Sequence, residues 1–386
     1  MITDNIMRIL IIILSILLLY SCVSDKKILE SKKHSEVIIT DYGADPTGRL
    51  DCSVLINKII SEFPESGGCV IIPEGTFVLD KPIVIDRNYI TIKGLNSGMR
   101  SNIDVDECKD ESGPGGGSKL VLRNAVYGIY VSPVDDVDNL KNRISGIEIK
   151  DILISGGKSN NGIGIYFEHD NDRCTISNII GINLETGIIA NASDAMAIKD
   201  SWLCEMKNSI EMNNGIQNTI NGCQLGAQPG GITCKLVGQT NFLFTGNHVY
   251  PDGSVNLQVE RSCYVNVTAN NFKSYYNKII DIKGDNNLLS GNVICFENNN
   301  ENRAGNNEED YGIVHIEGKN NFFTSSTISC RWNSNNLNPV TVKSLSGPNK
   351  FSNLYVDNIN SERVFYVQAN DIVEQCVDDE NIYIVK

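Results

Sequence analysis

"QTNFLFTGNHVYPDGSVNLQVERS" (239–262) is followed directly by "CYVNVTANNFKSYYNKIIDIKG" (263–284), and each stretch runs from a short apolar segment through a TGN or TAN corner into another. Reading outward, similar registers open at 171 ("NDRCTISNIIGINLETGIIANAS"), 194 ("DAMAIKDSWLCEMKNSIEMNNG"), 216 ("IQNTINGCQLGAQPGGITCKLVG") and 285 ("DNNLLSGNVICF"), so the starts fall 22 to 24 residues apart. Short β-branched runs at that period, separated by Asn and Gly corners, mark a β-solenoid, because each coil can bury its apolar side only by stacking on the next. The period predicts an all-β, right-handed parallel β-helix, a single-stranded solenoid of 22–24 residues per coil. Leucine-rich repeats share the period, but their LxxLxL frame is absent. The corner asparagines are expected to take left-handed backbone, which their short side chains tolerate.

Upstream, "DYGADPTGRLDCSVLINKIISEFPESGGCVIIPEGTFVLDKPIVI" (41–85) reads as strand, loop, helix and strand. Asp51 or Ser53 starts the helix; Leu55, Ile56, Ile59 and Ile60 recur at helical spacing, and Pro64 follows its end. An open solenoid end needs covering, and this capping helix supplies it. The stretch resembles the N-terminal cap of the pectate-lyase superfamily.

The extreme N-terminus reads differently. "MRILIIILSILLLYSC" has a basic residue, an apolar run from Ile9 to Leu19 and a Leu-Tyr-Ser-Cys end. This predicts a lipoprotein signal over 1–21, lipid on Cys22, a polar tether over 22–36 and a β-helix domain over 37–386. The expected address is a bacterial lipoprotein of the outer membrane, membrane-bound through the lipid alone. A formal charge of -14 with no Lys/Arg cluster disfavours nucleic acid and polyanions and suits a neutral ligand. Twelve cysteines are scattered singly in apolar runs without a CxxC pair, so buried free thiols are expected rather than disulfides or zinc. Two acidic, Gly- and Asn-rich insertions, 104–118 and 297–310, read as surface loops.

Candidate chemistry comes from aligning the coils. Ile198, Ile220, Phe244, Val267 and Leu289 fall together, and two residues on stand Asp200, Gly222, Gly246, Ala269 and Gly291. Aligning Ile210 with Ile188, Ile232 and Ile279 puts Glu211 beside Ile189, Thr233 and Ile280. Two acids thus stand against the local pattern, as expected of functional sites. A carboxylate pair can act as general acid and base on a glycosidic bond; equally, the two could be solvated surface acids. His315, on an alternating strand after an acidic loop, is a further candidate, with a satisfied wall histidine as the alternative. GxSxG, HExxH, a phosphate loop, the NTD, DD, GHG and RIK blocks of polygalacturonases and a calcium-type acid cluster with its basic residue are all missing, so neither metal nor cofactor is expected.

From Asn161 to Phe323 the chain resembles the inulin fructotransferases and their difructose dianhydride III hydrolase relatives. The resemblance is carried by "HDNDRCTI", "NLETGI", "SDAMAIKDSWLCEMKNSIEM", "GAQPGG", "FTGNHVYP" and "EDYGIVHIEGKNN". It implies that Asp200 and Glu211 are the catalytic carboxylates and that Asp172, Glu185, Tyr311 and His315 contact sugar hydroxyls. The implied substrate is a fructan, with the terminal fructose's 3-hydroxyl displacing the rest of an inulin chain to close a dianhydride. It also implies a homotrimer with sites at subunit contacts. Dianhydride hydrolysis, a calcium-dependent glycan lyase and a non-catalytic glycan-binding lipoprotein are the competing functions. Eleven residues are half a 22-residue coil, so the two acids should leave one chain on different faces. A site shared between subunits would reunite them; a bent corner within one chain is the other solution.

Overall fold

The computed structural model describes residues 35–98, 117–133, 143–159, 161–297, 312–331, 340–357, 364–378 and 381–385. The chain is an all-β parallel solenoid of about 11 turns, as its period predicts. One coil shows the plan. Ala197–Lys199 and Trp202–Leu203 form two short strands hinged at Asp200, and Asn208–Asn213 forms the long strand. Ile216 then bridges to Asp194 and Thr240 of the neighbouring coils before Thr219–Asn221 opens the next coil. The short strands stack into a first and a second wall; the long strands stack into a third, an 11-stranded sheet. A three-stranded strip of Ile144–Ser145, Asn171–Asp172 and Ser193–Asp194 edges the third wall.

The first wall alternates buried apolar residues with partly or fully exposed ones, the period-2 pattern of a half-buried strand. Ile176, Ile198, Ile220, Phe244, Val267 and Leu289 are in register on the first wall and are fully buried. They join one continuous core that extends down to the helix Ser53–Glu62, whose Ile56, Ile59 and Ile60 enter it. The Asp51 carboxylate accepts from the Ser53 amide at 3.0 Å and its hydroxyl at 2.7 Å, which fixes the helix start. Phe63, ahead of Pro64, is already extended. The first strand, Glu36–Ile38, begins one residue inside the expected tether. The signal segment and Cys22 lie outside the described residues, as does most of both insertions.

The corners differ from expectation in an instructive way. Between the first and second walls, Asn178, Asp200, Gly222, Gly246, Ala269, Gly291, Ser325 and Asn353 all have positive φ, from 49° to 65°. In the TGN, TAN and SGN corners the left-handed residue is therefore the Gly or Ala, not the asparagine after it. Asn247, Asn270 and Asn292 instead point inward and are at most 2% exposed. Asn270 Oδ1 accepts from the Asn247 amide at 3.0 Å, Asn292 Oδ1 accepts from the Asn270 amide at 3.0 Å, and Asn247 Oδ1 from the Cys223 amide at 2.9 Å. Their Nδ2 groups donate to the carbonyls of Ile220, Phe244 and Val267 at 2.9–3.1 Å. A second ladder, Asn287, Asn321 and Asn349, repeats the device where the coil closes. A left-handed corner interrupts the strand pairing, and the amide behind it satisfies buried backbone groups that the sheet cannot.

Register also corrects the third-wall alignment. Ile210 pairs with Ile188 and Cys234, and onward with Leu257 and Ile280, rather than with Ile232 and Ile279. The loop 226–231 is two residues longer than its counterpart 204–207, which delays the strand that follows. The ten cysteines within the described residues are free, seven of them buried. Burial pushes the Cys174 thiol up to about 11 and Cys223 up to about 12, so both are inert small apolar side chains.

Two substitutions at one corner should act oppositely. Asn270→Ala strands buried amide and carbonyl groups and should cost about 2 kcal/mol or more. Ala269→Gly relieves a left-handed alanine and should stabilise by about 0.5 kcal/mol. Thermal melting of both variants checks the contrast; a drop with Ala269→Gly would contradict the corner assignment.

A candidate active site on the outer walls

Asp200 sits at the left-handed hinge between the first and second walls, φ 52°, with its side chain outward and exposed. Asp and Asn are among the few non-glycine residues that enter this conformation at low cost. Asp151, Asn178 and Asn353 fill the equivalent corner of other coils. The corner thus accounts for an aspartate on structural grounds, and its contrast with neighbouring glycines is weaker evidence of function than the sequence suggested. The Gly222 above keeps space open at the carboxylate: a Cβ there would stand 2.9 Å from Asp200 Oδ1. Trp202 follows on the second wall, packed against Leu153, Ile180 and Ile182.

Glu211 lies on the third wall, facing outward and partly buried. Its ladder neighbours are Ile189 below and Lys235 above. The corrected register shows what the sequence alignment missed: Lys235, Gln258, Asp281, His315 and Lys343 continue the same outward column. The signal was present in "CKL", "LQV", "IDI" and "VHI", where one polar residue stands between two core residues, but the slipped register hid it. Asn213 Nδ2 donates to Glu211 Oε1 at 3.1 Å and to Asn191 Oδ1 at 3.0 Å. Asn191 Nδ2 in turn reaches the Glu168 carbonyl at 3.1 Å and the Tyr166 hydroxyl at 3.5 Å. The carboxylate is held in a network rather than waving in solvent.

The two acids are therefore on different walls of one chain, and no corner bends them together. The other candidates are likewise dispersed. Asp172 is on the edge strip, two ladder steps below Ile216 of the Glu211 coil, or about 10 Å at the spacing of paired strands. Arg173 holds it at 2.5 Å, and beside it Arg143 donates to Asp170 at 2.7 Å and Asp194 at 3.3 Å. Burial disfavours the Arg143 charge, but Asp170, Asp194 and Asp172 outweigh it and raise its pKa. Glu185 precedes the third-wall strand one coil below Glu211 and binds Lys207 at 2.6 Å. His315 is four steps above Glu211, about 19 Å away. It is 4% exposed, and its Nδ1 is 2.8 Å from Asp281 Oδ1. Glu211 and His315 of one chain thus cannot both touch a single disaccharide. Tyr311 lies outside the described residues.

Comparison with known proteins agrees with this architecture. The model of the rhamnogalacturonase A/epimerase, pectate lyase-like family matches residues 37–112, the capped N-terminal end. A curated relative is the inulin fructotransferase [DFA-I-forming] of Arthrobacter globiformis, 25% identical over 332 residues, which cover 78% of this chain and 82% of that one. The chain resembles the inulin fructotransferases. Crystal structures of DFA-IIIase from Arthrobacter chlorophenolicus A6 share the fold: the complex with DFA-III has a TM-score of 0.72 at 18% identity, covering 91% of this chain and 98% of that one. The form without its lid, in complex with GF2, reaches 0.74 at 20% identity, covering 89% and 94%. The resemblance read from the sequence is to this same group.

Because Asn already serves at the Asp200 corner, Asp200→Asn should melt within about 1 °C of the parent, the scale of a few tenths of a kcal/mol. Asp200→Val should lose about 1–2 kcal/mol, since a β-branched side chain resists left-handed backbone. Equal stability of the two variants would show that the hinge conformation is not required.

Proposed function

We propose that the chain is a fructan-active enzyme, and that its reaction closes a difructose dianhydride from the end of inulin. The observation that carries this reading is the similarity to an inulin fructotransferase along 78% of the chain. The site reading supports it: one carboxylate stands exposed at a hinge and another is held in a hydrogen-bonded network.

In the proposed step a hydroxyl of the terminal fructose attacks C2 of its neighbour. The new C2–O bond forms as the bond from C2 to the remaining chain breaks. One carboxylate accepts the hydroxyl proton as general base, and the other donates its proton to the departing oxygen as general acid. Their charges stabilise the oxocarbenium-like centre between them. The assignment adopted is Glu211 as base and Asp200 as acid. The products are a dianhydride and a shortened chain, and no water is consumed. Holding nucleophile and electrophile in one molecule supplies the proximity advantage.

Since Asp200 and Glu211 of one chain face apart, the proposal includes a homotrimer in which Asp200 of one subunit meets Glu211 of the next. It also includes lipid at Cys22 as the anchor to the outer membrane. Hydrolysis of a dianhydride is a second reading, favoured by the fold shared with DFA-IIIase. It would use the same acids, with water in place of the internal hydroxyl.

Chromatography after incubation with inulin, levan, DFA-I and DFA-III separates these readings. Dianhydride accumulating from inulin supports the transferase; net opening of a dianhydride supports the hydrolase; neither reaction would refute the proposal. Asp200→Asn and Glu211→Gln should each lower turnover by about a hundredfold or more. A variant retaining parental turnover removes that residue from the mechanism.

A further inference from the structure

Below Glu211, the outward column of the third wall changes character. Glu211 stands over Ile189, Ile189 over Tyr166, and Tyr166 over Tyr130. Tyr127 completes a group of three rings, with centroids 5.0 Å (Tyr127 to Tyr166), 5.4 Å (Tyr127 to Tyr130) and 5.9 Å (Tyr130 to Tyr166) apart. All three are partly exposed. Two of the polar ends are anchored: the Tyr130 hydroxyl donates to Glu168 Oε2, and the Tyr166 hydroxyl accepts from Asn191. Burial and the Glu168 carboxylate both push the Tyr130 pKa up, keeping that hydroxyl a donor. The same Asn191 leads through Asn213 to Glu211, so one hydrogen-bonded chain joins Tyr166 to the carboxylate.

We infer that Tyr127, Tyr130 and Tyr166 form a sugar-binding platform that holds fructosyl units of the chain bound at Glu211. The inference rests on the proposed function for the identity of the sugar. Three features support it. Tyr166 lies two ladder steps from Glu211, about 10 Å, and Tyr130 three, about 14 Å, spans that a short oligosaccharide bridges. Aromatic faces suit the C–H surface of a sugar ring, while Glu168, in contact with the Tyr130 hydroxyl, can accept from its hydroxyls. Sheet stability alone would be served by cross-strand aliphatic pairs, as Ile189 shows one coil above. The platform thus makes affinity depend on chain length, favouring oligosaccharides over a free disaccharide.

The test measures binding, so that it does not depend on turnover. Inulin-type oligosaccharides of two to six fructosyl units are titrated calorimetrically into the Glu211→Gln chain, with and without Tyr166→Ala or Tyr166→Phe. Affinity should rise with length in the Glu211→Gln chain. Tyr166→Ala should weaken the longer ligands about tenfold and the shortest less, and Tyr166→Phe should restore most of the loss. Circular dichroism confirms the fold, and Tyr130→Leu gives a second probe should Tyr166→Ala fail to fold. A loss independent of ligand length, or no loss, overturns the platform. Length-dependent binding by a parent chain that converts no fructan or dianhydride would instead refute the enzymatic reading while leaving the platform in place.

Discussion

The left-handed residue at each corner of the coil is the constraint on which the rest depends. A strand cannot turn sharply without leaving backbone donors and acceptors unpaired, and in a stacked solenoid those groups are buried. The corner residue makes the turn in one step, as at Gly246 with φ 64°, and the inward Asn247 then bonds the Cys223 amide and the Ile220 carbonyl of the coil below and the Asn270 side chain of the coil above. Because the same corner recurs in successive coils from Asp151 to Asn353, the hydrophobic column beside it keeps register from Ile176 to Phe351. Register in turn fixes which side chains share an outer column.

That dependence changes the meaning of the two acids. Asp200 fills a position that already favours Asp, Asn and Gly, so its identity has a structural explanation as well as a chemical one. Glu211 has no such explanation. It stands on the open face of a strand where Ile189 serves one coil below, and a side-chain amide is committed to its carboxylate. The chemistry proposed for Asp200 uses a conformation the fold supplies, in which an acid projects from a hinge beside the Gly222 corner.

Fold and period were readable because a solenoid repeats its packing problem, and repetition averages out the ambiguity of single short strands. Ile198, Ile220 and Phe244 could be aligned from sequence since the corner between them and their neighbours has constant length. The third wall could not, because the loop 226–231 changed length and carried Ile232 out of register with Ile210. The polar column from Lys235 to Lys343 was lost with it. The corner asparagines misled for a different reason: turn propensity names the residue types of a corner but not which one takes positive φ, and here the smaller residue does. The tyrosines escaped because aromatic residues on a strand read equally as wall packing until their rings are seen to gather.

The central claim is that Asp200 and Glu211 act as one pair although the coil sends them to different walls. Co-expression of Asp200→Asn with Glu211→Gln, followed by isolation of the mixed oligomer and assay on inulin and both dianhydrides, tests it most directly. A site shared between neighbouring subunits predicts activity in the mixed assembly well above either parent variant, since some contacts then unite an intact Asp200 with an intact Glu211. Mixed assemblies as inactive as both parents would contradict it.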